Sequence, residues 1–456
     1  MTTTLERPSP PRPIPGPKPH WLTGNLPGFV RDRLGFLTDL ARDHGDVVAI
    51  RFYHRKILVV NHPDLIEEVL VTRNRQFIKH FALRWAKPTL GEGLLTSEGD
   101  FWRRQRRLSQ PAFHREKVAG HAGVMVSYTE RMLEGWADGQ TLDLQDAMMR
   151  LTLEIVAKCL FDADVSGDSA DASAAMETVL HCFTGRVNSF INLPMFIPTP
   201  TNLRLRRAKA RLDRIVYGMI AARRASGEDR GDLLSMLLSA TDPVEEGGSG
   251  MTDLQLRDEA MTLFMAGHET TANTMAWVFF LLSKNPEAEA KLHAELDEVL
   301  PDRPPTFDDL PRLAYAERVV TEALRLYPTV WLLGREAIEP TEVGGHPVPV
   351  GTTVYMSQWV VHRDPRFFED PLEYRPDRWL DGLAKKIPRY AYFPFGGGPR
   401  ICIGNAFAMM EATLLLATIA RRFRVKVAHP EAVVPLPTMT LRPVGGMEVV
   451  LEARRG

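Results

Sequence analysis

Apolar side chains recur at a helical spacing along much of the chain. The pattern is most continuous over residues 117–240, where it breaks at Asp162–Asp171. Further along, Thr252 and Gln255 form a capping box in front of a long apolar run. The helix that this box opens is predicted to continue to about Ser283, which corresponds to roughly 48 Å at ~1.5 Å per residue. Helices are therefore expected to dominate the structure.

A smaller β portion is indicated near the N-terminus. Two short runs of β-branched and apolar residues, Asp46–Phe52 and Lys56–Asn61, flank the segment Tyr53–Arg55. Two such runs joined by a few turn residues are typical of a β-hairpin. A short helix with a proline near its start is predicted over Pro63–Val71. The sequence as a whole predicts a mainly α fold with a smaller β portion.

The chain is long enough for several domains, yet no stretch of it separates them. It has 456 residues, of which 44% are hydrophobic and 25% charged, as in ordinary globular proteins. The acidic, glycine-rich stretch Thr241–Gly250 is the best linker candidate, but it is short enough to be a surface loop. We therefore expect a flexible N-terminal segment over residues 1–14 and one domain over residues 15–456.

Charge and cysteine content exclude some partners and some compartments. The formal net charge is −1, so no overall field favours nucleic acid as a partner. The cysteines are Cys159, Cys182 and Cys402. A small and odd number of cysteines argues against a disulfide framework and fits a reducing cytoplasm. Cys159 and Cys182 lie in apolar helical patterns, which predicts that they are core residues.

The sequence lacks the pattern of a signal peptide or a membrane anchor. Met1–His20 is proline-rich and has no apolar stretch of the required length. The most apolar later window, Ala260–Leu282, contains His268 and Glu269, which favours a buried core helix over a membrane span. We expect a cytoplasmic protein without a membrane anchor.

The richest chemical signal lies in residues 391–411, which combine one cysteine with glycines and prolines before an apolar helical pattern over Asn405–Arg422. Glycine permits a tight loop that can aim backbone N–H groups at the sulfur of Cys402. The N-terminus of the following helix also favours negative charge. Both features stabilise a thiolate, the form of cysteine that binds iron. A buried structural cysteine is the alternative.

The same stretch matches Phe-x-x-Gly-x-Arg-x-Cys-x-Gly at its fixed positions, Phe395, Gly398, Arg400, Cys402 and Gly404. It resembles the haem-binding loop of the cytochrome P-450 family, the haem-thiolate monooxygenases. The resemblance implies a cytochrome P-450 fold, haem b (iron protoporphyrin IX) as cofactor and Cys402 as the axial iron ligand. It implies that Phe395 packs near the sulfur and the haem, and that Arg400 reaches a haem propionate. In showing no membrane-anchor pattern, the sequence resembles the soluble bacterial members of the family.

Two further segments match propionate-binding positions of the family. Trp102 and Arg106 are four residues apart and share one helical face, and the family places such a pair against a propionate. Arg335 matches the family's second propionate-binding arginine. The resemblance thus implies that Arg106, Arg335 and Arg400 hold two carboxylates by charge-assisted hydrogen bonds.

A structural charge network is also implied. Glu322 and Arg325 lie three residues apart on one helical face, a spacing usual for surface ion pairs. The family instead buries a Glu-x-x-Arg pair against an arginine of a later Pro-x-Arg segment, which Arg378 supplies. The resemblance therefore implies a buried network of Glu322, Arg325 and Arg378.

Ala266–Thr271 places a glycine, an acid and two threonines inside the long predicted helix, where they are poor choices. Such local rule-breaking tends to mark function. The stretch matches the family's Ala/Gly-Gly-x-Asp/Glu-Thr-Thr motif. This implies that Thr270 and Glu269 deliver protons to oxygen, while Gly267 gives the helix room to open. The alternative is that Thr270 only satisfies a backbone carbonyl of its own helix.

The candidate walls of a substrate pocket are apolar. Phe77–Glu98 is irregular, Val187–Pro200 resembles the family's lid, and Val330–Leu333 is an apolar strand. Apolar walls predict a hydrophobic small-molecule substrate such as a fatty acid, an alkane or a terpenoid. The predicted pocket residues are Ala266, Val330, Leu332 and Leu333.

The electron donor is expected to be a separate protein, since the chain ends at Gly456 without a flavin-binding extension. The resemblance implies a ferredoxin- or flavodoxin-type donor with its NAD(P)H reductase. Arg103, Arg104 and Arg107 form a candidate docking patch for an acidic donor. A solvated helical face is the alternative.

The implied reaction inserts one atom of O2 into the substrate and reduces the other to water, using two electrons and two protons. Thiolate ligation favours O–O cleavage. Two alternatives are a haem-thiolate enzyme that uses peroxide or rearranges its substrate, and a haem-based sensor or carrier. Glu269 and Thr270 count against the first. The second would need a signalling or DNA-binding segment, and the sequence displays none.

Overall fold

The computed structural model describes residues 13–163, 174–176, 178–179, 182, 196–241, 248 and 250–454. All of the predicted site residues fall within these ranges. Several predicted features lie mostly outside them: the N-terminal segment 1–14, the helix break at Asp162–Asp171, the Val187–Pro200 lid and the Thr241–Gly250 loop.

Helices dominate the described chain, which confirms the prediction of a mainly α fold. They range from single turns to the 32 residues of the longest helix. In chain order they are α1 (Leu26–Arg31), α2 (Arg33–His44), α3 (Pro63–Glu67), α4 (Phe81–Arg84), α5 (Lys87–Leu90), α6 (Gly99–Ser109), α7 (Arg115–Gly120), α8 (Ala122–Leu133), α9 (Leu144–Phe161), α10 (Pro200–Ser226), α11 (Leu233–Ser239), α12 (Asp253–Lys284), α13 (Pro286–Val299), α14 (Ala314–Leu326), α15 (Gln358–Val361), α16 (Leu383–Lys386) and α17 (Asn405–Arg422).

Short strands form the smaller β portion. The largest sheet has the strand order β1-β2-β8-β5-β3, and a second has the order β4-β12-β9. The predicted hairpin is confirmed, because β1 and β2 pair antiparallel. The strands are β1 (Val47–Phe52), β2 (Arg55–Val60), β3 (Phe77–Lys79), β4 (Thr141–Asp143), β5 (Leu333–Ala337), β6 (Thr341–Val343), β7 (His346–Val348), β8 (Thr353–Met356), β9 (Phe423–Val427), β10 (Pro435–Pro437), β11 (Leu441–Pro443) and β12 (Glu448–Ala453).

Helix α12 lies at the centre of the core. Its predicted capping box is formed: the Thr252 side chain accepts from the Gln255 N–H, and the Gln255 side chain accepts from the Thr252 N–H. The helix ends at Lys284, one residue beyond the predicted end. Most of its side chains are buried, since α9, α10, α14 and α17 pack around it. A helix covered on several sides needs no exposed polar face, which explains why even its polar residues are mostly buried.

The elements that surround the site share one hydrophobic core. The larger cluster of buried apolar side chains draws on residues from Phe29 to Leu451. It joins α12 to α17 and to the strands near the C-terminus. Among the described helices, none is both long enough and apolar enough to cross a membrane.

Candidate functional site

Cys402 lies at the end of a tight loop, directly before helix α17. Its backbone N–H donates to the Phe395 carbonyl at 3.0 Å, which closes the loop. Gly398 within the loop has a positive φ of 64°. A Cβ at this position would lie 1.9 Å from the carbonyl oxygen of Leu70. Position 398 therefore requires glycine both for its backbone angle and for the close approach of the loop to the turn at Leu70.

The thiol of Cys402 is surrounded by protein but presents its surface to an internal cavity. Burial raises its pKa above the ordinary value. The backbone N–H of Gly404 and the guanidinium of Arg106 lower the pKa, as predicted for a thiolate-stabilising loop, but desolvation is the larger effect. A cation bound in the cavity, such as a coordinated metal ion, would favour the thiolate further.

The cavity has a volume of about 340 Å³ and a mostly apolar wall. Leu332 does not line it but packs against the main hydrophobic core. The predicted residues in the wall are Ala266, Glu269, Thr270, Val330, Leu333, Arg335, Phe395, Arg400 and Cys402. Apolar residues that the sequence did not single out complete it, among them Leu95, Val156, Leu160, Leu263, Leu324 and Met439.

Arg400 is held in place by three groups of helix α6 and the segment before it. It forms an ion pair with Glu98, donates to the Ser97 carbonyl at 2.9 Å, and its guanidinium lies 3.9 Å from the ring centre of Trp102. Trp102 is thus packed under an arginine of the cysteine loop. Glu98 was not predicted as a site residue.

Positive charge is in excess beside the cavity. Arg335 and Arg400 line the cavity, and together with Lys79 and Glu98 they line a second, more polar pocket next to it. Burial lowers the pKa of both arginines, in Arg400 to about 10. Partly desolvated guanidinium groups are costly without anionic partners, and Glu98 is a single carboxylate beside both Arg335 and Arg400. The site therefore fits a ligand that carries carboxylates, as the two propionates of haem b do.

Arg106 contacts the cysteine loop itself. Its Nη1 donates to the Ile401 carbonyl at 2.7 Å, one residue before Cys402. Unlike Arg335 and Arg400, Arg106 is not part of the cavity wall. The structure therefore brings this predicted propionate-binding residue to the loop rather than to the cavity.

Thr270 and Glu269 both reach the cavity from helix α12. Thr270 Oγ1 donates to the Ala266 carbonyl at 2.5 Å, so the backbone contact considered as the alternative is present. Glu269 accepts a hydrogen bond from Thr440 Oγ1 at 2.7 Å. Burial raises the pKa of Glu269 above its ordinary value. The two predicted residues are adjacent in sequence but differ in environment.

Gly267 has a packing role that the sequence did not reveal. A Cβ at this position would lie 2.5 Å from Cγ2 of Val156 in helix α9. Helix α12 remains helical through Gly267. The glycine therefore permits the close approach of two helices at the cavity wall.

A second acid in the cavity wall, Glu411 of helix α17, was missed by the sequence analysis. Its Oε2 accepts from Thr271 Oγ1 at 2.9 Å, and its Oε1 has no hydrogen-bond partner among the described residues. Burial raises its pKa to about 8, so the carboxyl is largely protonated at neutral pH. The available signal was an acid within the apolar helical pattern that follows Cys402.

Glu322, Arg325 and Arg378 meet in a buried cluster away from the cavity. Arg325 Nη2 lies 2.8 Å from Glu322 Oε1, and Arg378 Nε lies 2.8 Å from the same oxygen. The Trp379 Nε1–H donates to the other carboxylate oxygen at 2.8 Å, and the Arg375 N–H donates to Oε1 at 3.0 Å. The structure thus brings the predicted trio together and adds two donors that sequence reasoning did not include.

Comparisons with known proteins agree with this geometry. A family model described as cytochrome P-450 matches residues 14–448. Cyclooctatin synthase of Streptomyces melanosporofaciens is 41% identical over 441 residues, 95% of this chain and 94% of that protein. Cyclooctat-9-en-7-ol 5-monooxygenase of the same organism is 40% identical over 93% of this chain and 92% of that protein. Pentalenene oxygenase of Streptomyces avermitilis is 36% identical over 96% and 97%.

The family match extends over nearly the whole chain, and these relatives are covered almost end to end. The residues of the cysteine loop and the cationic cavity wall fit haem b, the cofactor of that family. The chain therefore belongs to the cytochrome P-450 family and is a haem-thiolate monooxygenase.

Proposed function

We propose that Cys402 is the axial iron ligand and that Arg335 and Arg400 bind the haem propionates. The observation that carries the proposal is a single cavity lined by the Cys402 thiol, both guanidinium groups, Phe395 and Thr270. Haem b, when bound, supplies the activation of O2, and a thiolate ligand favours O–O cleavage. The protein residues then set ligation, proton supply and substrate position.

Trp102 and Arg106 are proposed to act through other residues. Trp102 supports the guanidinium of Arg400 from one face, and such stacking restricts an arginine to a narrow range of orientations. Arg106 fixes the Ile401 carbonyl and so the backbone that carries Cys402. In both cases the aromatic or cationic side chain positions a neighbour that contacts the cofactor.

Thr270 and Glu269 are proposed to supply protons to the cavity. Thr270 Oγ1 donates its hydrogen to the Ala266 carbonyl, and its lone pairs can still accept a hydrogen bond from a water molecule. Because burial raises the pKa of Glu269, its carboxyl keeps a proton to higher pH than an exposed glutamate does. The pair thus combines a hydroxyl that can bind a water molecule with a buried carboxyl that releases its proton less readily than an exposed one.

Thr270→Ala tests this assignment. The variant should keep the haem content, the spectrum with carbon monoxide and the substrate affinity of the wild type. Product formed per NAD(P)H consumed should fall roughly tenfold or more, with hydrogen peroxide accounting for the difference. Thr270→Ser, which restores the hydroxyl, is the control and should couple normally. An unchanged ratio of product to NAD(P)H in Thr270→Ala would assign proton delivery elsewhere.

The substrate is proposed to be a largely hydrocarbon molecule of the terpenoid type. The cavity wall is mostly apolar, which suits such a molecule. The relatives named above are called cyclooctat-9-en-7-ol 5-monooxygenase and pentalenene oxygenase, both after hydrocarbon-rich compounds. Among the lipophilic classes predicted from the sequence, terpenoids therefore come first, ahead of fatty acids and alkanes.

A turnover assay tests the proposed function. The holoenzyme is supplied with NAD(P)H, a surrogate ferredoxin and its reductase, and a panel of cyclic terpene hydrocarbons and alcohols. We expect an oxygenated product whose new oxygen comes from isotopically labelled O2. The proposed function would be contradicted if product formed only with added peroxide. It would also be contradicted if the new oxygen atom came from water instead of O2.

The electron donor is proposed to be a ferredoxin- or flavodoxin-type protein that docks near helix α6. Arg103 and Arg107 are exposed on this helix. Arg103 pairs with Asp100, while the partly buried Arg104 donates to the Gly250 carbonyl at 3.2 Å. Arg104 therefore contributes to packing, and Arg103 and Arg107 are the better candidates for docking.

Charge reversal at Arg103 and Arg107 together should slow reduction by an acidic ferredoxin on the order of tenfold at low salt and flatten its salt dependence. Stopped-flow reduction at several ionic strengths measures this. The same double reversal at Arg204 and Arg207, exposed on helix α10, is the matched control and should leave reduction unchanged. Equal slowing by both pairs would indicate a general charge effect instead of a docking site.

We also propose that residues 15–456 form one haem domain in the cytoplasm. The larger hydrophobic cluster, which includes residues from Phe29 to Leu451, supports a single domain. The sparse cysteines support a reducing compartment.

A further inference from the structure

The segment Gly91–Ser97, which joins helix α5 to helix α6, contributes Leu95 to the cavity wall. It has no regular secondary structure, so its position depends on what its backbone contacts. Buried ionisable side chains of α12 and β3 make these contacts. None of them is proposed as a cofactor ligand, although Lys79 also borders the polar pocket next to Arg335 and Arg400.

Helix α12 holds the N–H groups of the segment. Asp258 Oδ2 accepts from the Glu92 N–H at 2.7 Å, and Glu259 Oε2 accepts from the Leu94 N–H at 3.0 Å. Arg257 donates to the other Asp258 oxygen at 2.9 Å and so fixes that carboxylate. All three consecutive charged residues of α12 are buried.

Strand β3 holds the carbonyl groups. Lys79 is buried, and its Nζ donates to the Leu94 carbonyl at 2.7 Å and to the Leu95 carbonyl. Leu94 is therefore bound on both sides of its backbone, through its N–H by Glu259 and through its carbonyl by Lys79. Leu95, the residue in the cavity wall, follows directly.

Two glycines let the segment lie directly on α12. A Cβ at Gly91 would lie 2.0 Å from the Asp258 carboxylate, and one at Gly93 would lie 2.2 Å from Thr262 Oγ1. The Gly93 site is also 2.4 Å from the Asp258 carbonyl oxygen, a backbone atom that cannot move aside easily. The segment can therefore lie this close to α12 only if both positions are glycine.

We infer that Glu259 and Lys79 are positioning residues for the substrate: they clamp Leu94 so that Leu95 is fixed in the cavity wall. The inference rests on the proposed function for the nature of the cavity. Burying polar, ionisable groups is costly, and hydrophobic replacements often stabilise a core equally well, so the placement of Glu259 and Lys79 around one backbone segment points to a role in orienting it. Glu259 and Lys79 thereby determine which face of the substrate reaches the reactive centre.

The experiment compares Glu259→Leu with Glu259→Gln in the holoenzyme. Burial raises the pKa of Glu259 to about 8, so a neutral amide that still accepts from the Leu94 N–H is a close mimic. Glu259→Leu should raise amide hydrogen exchange in residues 91–97 by on the order of tenfold or more. It should also change the distribution of oxygenated products formed from the panel of cyclic terpene hydrocarbons and alcohols, and weaken the binding of those compounds. Glu259→Gln should resemble the wild type in all three measurements.

Leu95→Ala and Asp309→Asn are the controls. Leu95→Ala alters the wall directly, so it should change the product distribution while exchange in residues 91–97 stays low. Asp309→Asn removes a buried carboxylate that binds Arg303 and Thr306. It should change neither the amide exchange of residues 91–97 nor the product distribution. Gly93→Ala should also release the segment from α12, and it changes no ionisable side chain. It replaces Glu259→Leu if that variant does not fold.

Unchanged exchange in the releasing variant, or raised exchange with an unchanged product distribution, would overturn the inference. A wild-type enzyme that forms no NAD(P)H-dependent product would contradict the proposed function instead. The exchange and substrate-binding measurements would still report on the clamp in that case.

Discussion

Cys402→Ala is expected to abolish the red-shifted Soret band that the reduced wild-type protein gives with carbon monoxide. The band of this family depends on thiolate ligation, and alanine offers no donor atom. Among the described residues of the cavity wall, Cys402 is the one cysteine. NAD(P)H-dependent product formation should be lost with the band. The measurement is a reduced carbon monoxide difference spectrum, recorded at equal protein concentration and corrected for haem content.

Cys159→Ala is the matched control for this experiment. Cys159 is buried within helix α9, and burial raises its pKa well above the ordinary value, so it is a core thiol. Its replacement should keep the band, with at most a modest loss of stability. A red-shifted band that survives in Cys402→Ala but disappears in Cys159→Ala would reassign the ligand.

The features that residue patterns alone could predict lie close together in sequence, whereas grouping distant residues such as Glu322 and Arg378 depended on the family resemblance. The capping box at Thr252 and Gln255 and the loop at Cys402 each consist of a few neighbouring residues. Backbone angles and helix geometry decide such features locally. The β1–β2 hairpin was predicted for the same reason, since its strands are joined by two residues.

Contacts between distant segments could not be predicted from local patterns. Glu98 meets Arg400 across roughly 300 residues of chain, and Glu259 meets Leu94 across more than half that distance. In the sequence both acids look like ordinary polar residues next to a helix or within one. Their roles depend on which segments the fold brings together.

The sequence also could not predict which way individual side chains point. Trp102 and Arg106 share a helical face, as their spacing requires, but the spacing does not say what that face meets. Leu332 comes directly before strand β5, where the chain is irregular. The alternation of side chains along a strand therefore does not decide whether Leu332 points into the cavity or into the core.

The second large expected effect is a loss of stability when the buried network around Glu322 is broken. Glu322 and Arg325 are fully buried, and Arg378 is nearly so. One carboxylate accepts from Arg325, Arg378, Trp379 and the Arg375 backbone N–H. Two cations therefore depend on a single anion, in a region where water cannot replace it.

Glu322→Ala should therefore destabilise the protein by about 3–5 kcal/mol, because removing one partner leaves buried charge without compensation. The variant should give little soluble, haem-loaded protein, and the urea midpoint of unfolding should fall in whatever is recovered. Glu130→Ala is the matched control: Glu130 meets Arg421 and Arg422 at 3.4 Å and is partly exposed, so its loss should cost roughly 1 kcal/mol or less. Equal urea midpoints for the two variants would mean that burial of the Glu322 network contributes nothing beyond an ordinary surface ion pair.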